Sequence, residues 1–323
     1  EILVITISSA MSGTIQSARQ AAPASPVPVH ILDSRNNSMG LGWQVIAAAR
    51  AREAGVLGQE SVPGVDRAGV GLFGRLQNRL AAAAADLLAT IVVFAFSAGF
   101  DNSSIYDPYW SVAPVPIALF WALASGSAGT LPRQAAVLVL LGAWAVRLTV
   151  NCLARWRGLA DEDWRYAGYR RLGGWYWPVS FLGFHLMPTV FVFLGCLPLW
   201  PALTAGGRAP GILDAVALAV TAGAIGIEAT ADFQLRRFLL RGKSGRRLIH
   251  EGLWKLLRHP NYVGEVAFWW GLWLFGLAAD PSWWWTIAGP AAITLMFLFI
   301  SVPMMERHLR GRRTYASPRR RTA

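Results

Sequence analysis

Runs of apolar residues, each close to 20 residues long, dominate the chain from Leu80 onward. A helix of this length spans the hydrocarbon core of a bilayer, because each helical residue rises about 1.5 Å. The sequence therefore predicts an all-α polytopic membrane protein with about seven transmembrane helices. The predicted spans are residues 80–100, 111–127, 134–153, 175–200, 211–231, 262–279 and 283–303.

The first residues follow a different pattern. β-branched residues alternate from Ile2 to Ser9, which predicts a short buried strand followed by a loop and a helix. Residues 29–33 and the Ala-rich stretch 43–55 repeat this order of strand, loop and helix. We therefore expect a short α/β fragment over 1–58, a Gly-rich linker over 59–79 and a transmembrane domain over 80–323.

Composition and charge agree with a protein that resides in a lipid bilayer. Hydrophobic residues make up 54% of the chain, and the net charge is +12. Of the 30 Lys and Arg residues, 20 lie in segments 153–174, 232–260 and 304–323, each beside an apolar run. This is the positive-inside pattern, not the basic face of a nucleic-acid-binding protein, so we expect a cytoplasmic C-terminus and no nucleic-acid partner. The two cysteines have no metal-ligand spacing, and no bound metal is expected.

The stretch 252–265, just before the apolar run that begins at Val266, carries the strongest chemical signal. Pro260 prevents a preceding helix from continuing, and Gly264 permits another group to approach closely. Ionisable groups near a membrane helix are costly unless they line a cavity or bind a ligand, so we interpret the stretch as a site. The alternative is that its charges are interfacial anchors and Glu265 only pairs with an arginine. The candidate site residues are Arg258, His259, Asn261, Tyr262 and Glu265.

Further polar residues lie inside the predicted spans. Arg147 and Asn151 are one helical turn apart, as are Glu228 and Asp232, so each pair shares a helix face. Charges that face each other across a bundle can form a paired network, whereas each alone would be costly to bury. His185 lies in the middle of a span and is interpreted as a packed, hydrogen-bonded histidine.

The N-terminal motifs resemble the DegV family of fatty-acid-binding proteins. They read Ile7-Ser-Ser-Ala-Met-Ser-Gly-Thr14 and Asp33-Ser34 followed by Ser38-Met-Gly-Leu-Gly42. The resemblance implies that Ser9 or Ser12 would help to hold a lipid carboxylate. Fewer than 60 residues bury little apolar surface, however, and the second lobe of that family is absent. We therefore expect a fusion remnant or a mis-assembled reading frame without function of its own.

A second resemblance covers residues 86–315, to the steroid 5-alpha-reductase-like membrane family in its uncharacterised bacterial branch. It implies a seven-helix bundle in the bacterial cytoplasmic membrane. The chain departs from the family after Glu306, where an Arg-rich tail replaces the usual Pro-Gly-Tyr segment. The motifs that carry the resemblance are Ser104-Ile-Tyr-Asp-Pro-Tyr-Trp-Ser111, Asp161-Glu-Asp-Trp-Arg-Tyr166, Ala231-Asp-Phe-Gln-Leu235, Gly252-Leu-Trp254 and Arg258-His-Pro-Asn-Tyr-Val-Gly-Glu265.

The resemblance implies NADPH as the cofactor and reduction of a carbon-carbon double bond in a sterol-like or other hydrophobic small-molecule substrate. Cofactor contacts would come from Arg258, His259, Asn261, Tyr262 and Glu265, with Arg236 and Arg237 as phosphate partners. The Glu and Tyr pair that polarises the substrate in the family has no clear match in the first three spans. The catalytic acid is left open among Tyr106, Tyr109, Glu228 and Tyr262.

Two alternatives compete with this interpretation. Membrane methyltransferases of the isoprenylcysteine type carry a similar Arg-His-Pro-x-Tyr-x-Gly motif and bind S-adenosylmethionine. The spacing of Asn261 and Glu265, together with the Asp232-Phe-Gln segment, favours the reductase. The other alternative is a lipid-binding membrane protein that has kept the fold without the chemistry.

Overall fold

The structure is a computed structural model that describes residues 2–6, 14–27, 29–33, 65–124, 129–156, 158–241 and 249–310. The chain divides into two compact units, Glu1–Ala82 and Ala83–Ala323.

The first unit contains the predicted α/β pattern. Strands β1 (Ile2–Thr6) and β2 (Val29–Asp33) pair in parallel, with Ile2 opposite Val29. Parallel strands require a crossover connection, and here it contains helix α1 (Thr14–Ala21) with a short 3-10 turn after it. The expected strand, helix and strand are therefore confirmed. The helix expected at 43–55 lies outside the described residues.

The predicted linker 59–79 is helical from Val65 onward. Helix α2 runs over Val65–Gly99, and its apolar part, Leu76–Gly99, begins four residues before the predicted span. Once an apolar helix has formed, each added residue extends it without a new nucleation cost, so helix continues into the Gly-containing sequence. Glycine content alone was a poor indicator of a loop at this position.

The second unit is a bundle of helices, which confirms the predicted fold class. Six helices in the described part of the chain are long and apolar enough to cross a membrane. They are Leu76–Gly99 of α2, α5 (Leu131–Leu153), α7 (Arg170–Cys196), α9 (Ile212–Leu240), α11 (Pro260–Ala279) and α12 (Pro281–Arg310). Short helices connect them: α3 (Tyr109–Val112), α4 (Pro114–Ala124), α6 (Trp164–Ala167), α8 (Leu199–Thr204) and α10 (Leu253–Leu256).

The predicted span 111–127 is not a single long helix. It falls on α3 and α4, and residues 125–128 lie outside the described residues. Pro114 has no backbone N–H to donate to the preceding turn, which separates the two helices at this point. The expected seven long helices are thus six in the described residues, together with this proline-broken segment.

Helices α7 and α12 are not uniform. Each begins with a 3-10 segment, Arg170–Trp175 in α7 and Pro281–Ile287 in α12. Each also contains a π-helical segment, Phe181–Leu186 in α7 and Phe297–Ser301 in α12. Such segments are frequent at functional sites, because the extra residue per turn changes the direction of the side chains that follow.

Helix α11 occupies the centre of the bundle and packs along α9. Three of its glycines permit close packing, two of them against α9 and one against Pro198, which precedes α8. A Cβ atom added at Gly264 would lie 2.4 Å from Glu228 Cγ, one at Gly271 would lie 2.1 Å from Thr221 Oγ1, and one at Gly276 would lie 2.6 Å from the Pro198 carbonyl oxygen. Lipid supplies no hydrophobic force that drives helices together, so membrane helices associate through close van der Waals packing. Small residues permit this packing.

The two ends of the bundle differ in charge. We call the end formed by residues 100–108, 154–156, 158–169 and 249–259 the basic end, and α2, α5, α9 and α12 finish there. Asp101 and Asp107 lie at this end, in a connection without Lys or Arg, and pair with Arg170 and Arg165. At the opposite end, the fully buried Arg133 side chain donates from Nε and Nη2 to the Asp214 carboxylate at 2.6 and 3.0 Å.

Replacing Asp214 with Asn is expected to destabilise the bundle by about 3–5 kcal/mol, because it leaves the Arg133 guanidinium buried without its counter-charge. The measurement is thermal unfolding of the detergent-purified chain. Glu251→Gln is the matched control, since it breaks the exposed Arg241–Glu251 pair and should cost at most about 1 kcal/mol. Equal effects of the two substitutions would contradict the conclusion that Arg133 and Asp214 form a buried ion pair that stabilises the bundle.

Candidate functional site

An acid–base cluster lies between α5 and α9, on the faces that the one-turn spacings predicted. Arg147 donates to the carboxylates of both Glu228 and Asp232, and its Nη1 lies 2.7 Å from Asp232 Oδ2. Asn151 Nδ2 also donates to Asp232 Oδ2, at 2.8 Å. The predicted paired network across the bundle is therefore confirmed. We use the name acid–base cluster for Arg147, Asn151, Glu228 and Asp232.

Glu265 of α11 lies beside this cluster and is held by tryptophans instead of an arginine. Its carboxylate accepts hydrogen bonds from Trp144 Nε1 at 3.1 Å and from Trp269 Nε1 at 2.9 Å. Only 5% of Glu265 is exposed, and the Trp144 ring also stacks on Phe268. The structure therefore does not favour the alternative in which Glu265 only pairs with a neighbouring arginine.

A cavity of about 870 Å³ extends from the basic end into the bundle and is lined by the acid–base cluster and by Glu265. Its volume falls within the range of sites for cofactors and drug-sized ligands. One part of its wall is polar and includes Arg155, Lys255, Arg258, His259, Asn261 and Tyr262. Another part is apolar and includes Phe184, Met187, Phe191, Met296, Phe297 and Ile300 of α7 and α12.

Three buried polar atoms on residues that line this cavity have no hydrogen-bond partner among the described residues. They are Asn261 Oδ1, Glu228 Oε1 and Arg147 Nε. Buried polar atoms in folded proteins are nearly always hydrogen-bonded, so each of these atoms requires a water molecule, an ion or a ligand as its partner. The group comprises two acceptors and one donor.

The entrance to the cavity contains the Arg258-His259 part of the motif. Arg258 and His259 both contact the Glu306 carboxylate of α12, and His259 Nε2 lies 3.1 Å from Oε1. The His259 ring also stacks on Tyr262. Burial lowers the pKa of His259 below its ordinary value, although the contact with Glu306 opposes this shift.

A second charged group at the basic end joins two of the quoted motifs. Asp107 accepts hydrogen bonds from Arg165 Nη2 and from the Tyr166 hydroxyl, both at 2.6 Å. Burial raises the pKa of Asp107, and these two contacts counter only part of the shift. Burial would also raise the pKa of Asp163, but hydrogen bonds from Arg165 outweigh it and lower that pKa. The sequence did not identify Asp107, because its partners lie almost 60 residues further along the chain.

Tyr106 lines the cavity beside α7, and its hydroxyl group is hydrogen-bonded to Thr189, which does not line the cavity. It is 2% exposed, and its Oη lies 2.8 Å from Thr189 Oγ1, which in turn lies 2.8 Å from Thr90 Oγ1. His185 contacts Ser97 Oγ and the Ser180 carbonyl oxygen through its two ring nitrogens, each at 3.0 Å. The interpretation of His185 as a packed, hydrogen-bonded histidine is thus confirmed.

The structure brings most of the sequence-predicted site residues to one cavity. Arg236 and Arg237 are exposed and are not among its lining residues. The sequence missed Arg155 and Trp144, which lie outside the quoted motifs, and it did not single out Lys255 within the stretch 252–265. The predicted residues that do line the cavity are Arg258, His259, Asn261, Tyr262, Glu265, Glu228 and Tyr106.

The fold defines a polytopic membrane protein with a cavity that opens toward the basic end of the helix bundle. Residues 93–322 match the model of a family described as Protein of unknown function (DUF1295), and the chain belongs to this family. Residues 1–63 match the model described as Uncharacterised protein, DegV family, which confirms the resemblance of the N-terminal motifs.

Curated relatives match each part of the chain. An uncharacterized protein of Schizosaccharomyces pombe is 26% identical over 216 residues, which cover 59% of this chain and 62% of that protein. A DegV domain-containing protein of Mycobacterium bovis is 34% identical over 87 residues, covering 27% of this chain and 30% of that protein. One from Streptococcus pyogenes serotype M3 is 40% identical over 55 residues, covering 17% and 20%. The chain thus spans less than two thirds of each of these relatives, and no solved structure matches it.

The close contact between Gly264 and Glu228 yields a test of the site's packing. Gly264→Ala places a methyl group within 3 Å of Glu228 Cγ and of the Ala224 carbonyl oxygen, so α9 and α11 must separate. We expect a loss of about 1–3 kcal/mol in unfolding free energy, measured by thermal unfolding in detergent. Gly226→Ala is the control, because its Cβ atom would meet nothing within 4 Å. A Gly264→Ala protein as stable as the control would contradict the packing.

Proposed function

We propose that this protein is a membrane oxidoreductase that uses NADPH to reduce a carbon-carbon double bond in a sterol-like or other lipid substrate. One observation carries the proposal. A single cavity combines orphaned polar atoms, basic side chains at its entrance and an apolar wall formed by two membrane helices. A polar nucleotide and an apolar substrate both fit such a lining.

The orphaned atoms match the carboxamide of a nicotinamide ring. A primary carboxamide offers two N–H donors and one carbonyl acceptor. Asn261 Oδ1 and Glu228 Oε1 would accept from the two N–H groups, and Arg147 Nε would donate to the carbonyl. These donor and acceptor types are the ones that a carboxamide requires, and Glu265 and Tyr262 line the same cavity.

The basic end suits the phosphates of the nucleotide. Arg155, Lys255 and Arg258 are exposed side chains that line the cavity, and guanidinium groups bind phosphate through two parallel hydrogen bonds. Arg236 and Arg237 remain predicted phosphate partners. This arrangement also supports a cytoplasmic location of the basic end and of the C-terminus in a bacterial inner membrane, since NADPH is a cytoplasmic molecule and basic connections remain on that side.

When bound, NADPH would supply a hydride ion to one carbon of the substrate double bond and leave as NADP⁺. The other carbon then requires a proton from a group in the cavity wall. The Glu228 carboxylate is engaged by its ion pair with Arg147, and Tyr262 lies beside His259 at the entrance. We favour Tyr106 as the proton donor. It lines the cavity together with the apolar residues of α7, and its hydroxyl group is hydrogen-bonded to the neutral hydroxyl group of Thr189.

The first test measures binding of NADPH to the detergent-purified chain through the change in nucleotide fluorescence. Asn261→Ala removes one acceptor for the carboxamide and should weaken NADPH binding about tenfold. Arg171→Ala is the matched control, since Arg171 is exposed near the same end and does not line the cavity. Saturable NADPH binding with this pattern would support the proposal.

S-adenosylmethionine provides the competing outcome of the same titration. Displacement of NADPH by the methyl donor at lower concentrations, or binding of the methyl donor alone, would favour the methyltransferase alternative. Absence of binding by either molecule would favour a lipid-binding protein without catalysis. Either outcome would contradict the proposal that this protein is an NADPH-dependent reductase.

Tyr106→Phe tests the proton donor. The substitution keeps the ring against His185 and Tyr109 but removes the hydroxyl group. With a steroid 4-en-3-one as the probe substrate, we expect NADPH consumption to fall by at least about a hundredfold while NADPH affinity is retained. Tyr169→Phe, which alters a partly exposed cavity residue, should leave the rate nearly unchanged. A Tyr106→Phe rate equal to that of the control would exclude Tyr106 as the acid.

A further inference from the structure

The last segment of α12, Val302–Arg310, forms part of the cavity wall at the basic end. Three of its side chains, Met304, Met305 and Leu309, line the cavity, while Arg307 and Arg310 are exposed and do not. The segment therefore turns an apolar edge toward the cavity and a basic edge away from it.

Two contacts hold this segment in place, and each joins it to a different element. Glu306 contacts Arg258 and His259 at the start of α11. The His308 ring stacks on the Trp164 ring of α6, with 3.9 Å between ring centroids and an angle of 21° between the planes. We call these contacts the two clasps. The Arg258 side chain is 48% exposed against 12% for Glu306, and Trp164 is 36% exposed, so each contact has one partner that reaches solvent. Such a contact separates at a lower cost than a fully buried one.

The helix preceding the segment is anchored, and the junction between them is irregular. In the anchored part, a Cβ atom added at Gly289 would lie 2.3 Å from the Leu194 carbonyl oxygen, and one added at Gly195 would lie 2.8 Å from Ile293 Cδ1. The junction is the π-helical segment Phe297–Ser301, followed by Pro303. A π-bulge and a proline both interrupt the regular hydrogen bonds of a helix, and these are the usual positions of bends.

We propose that Val302–Arg310 is a lid that bends at 297–303 and opens the cavity at the basic end for ligand exchange. The structure shows its closed state, with both clasps formed. Opening breaks the two clasps and withdraws three apolar side chains from the wall, whereas the anchored part of α12 stays packed on α7. The existence of the lid rests on the geometry of the cavity; that NADPH is the ligand exchanged rests on the function proposed above.

The test measures how fast a thiol inside the cavity reacts with a small, charged methanethiosulfonate reagent. Val192 lines the cavity and is 6% exposed, so Val192→Cys is the reporter in a full-length chain whose Cys152 and Cys196 are replaced by Ala. Adding Glu306→Ala or His308→Ala should raise the labelling rate about tenfold, because loss of a clasp raises the population of the open state. Arg307→Ala is the matched control on the same segment and should leave the rate unchanged.

A charge exchange separates loss of a clasp from general loosening of the protein. Glu306→Arg alone should label fast, and Glu306→Arg combined with Arg258→Glu should return to slow labelling. Equal labelling rates in the clasp variants and the control would contradict the proposal that the segment is a lid. Fast labelling that the exchange of Glu306 and Arg258 does not reverse would also contradict it. Fast labelling of the clasp variants that NADPH does not slow would support the lid. The same result would contradict NADPH as the ligand of the cavity.

Discussion

Pairing of the Arg147 guanidinium with the carboxylates of Glu228 and Asp232 is the interaction on which the rest of the bundle depends. A charge inside a membrane protein is tolerated only when it is paired or lines a cavity, and here both conditions hold. The pairing fixes α5 against α9 and places their polar faces toward one interior space. The stability of the bundle and the polarity of the cavity therefore have the same origin.

The glycines of α11 supply the complementary constraint. Because Gly264 and Gly271 carry no side chain, α11 approaches α9 closely enough for Glu265 to lie beside the acid–base cluster. The same approach leaves the carboxylate of Glu265 with two indole N–H groups as its partners. Apolar residues of α7 and α12 complete the cavity on its other side. One space thus acquires a polar part and an apolar part, as a reductase of lipid substrates requires.

Local patterns predicted most of the fold and about half of the polar contacts of the site. Arg147 with Asn151 and Glu228 with Asp232 could be paired in advance, because one-turn spacing fixes the shared face of each helix. The contact of Asp107 with Arg165 could not, since it depends on how distant connections meet at one end of the bundle. Pro114 explains the broken second span, and helix propagation explains why Gly-containing sequence after Val65 is helical.

In the proposed cofactor site, the orphaned atoms Asn261 Oδ1 and Glu228 Oε1 accept the N–H groups of a nicotinamide carboxamide. The most direct measurement compares the affinity of the unaltered protein for NADPH with that for its 3-acetylpyridine analogue, in which a methyl group replaces the amide nitrogen. We predict that the analogue binds at least about tenfold more weakly, because it leaves both buried acceptors unpaired. Equal affinities, or no binding of either nucleotide, would contradict the proposed nicotinamide site.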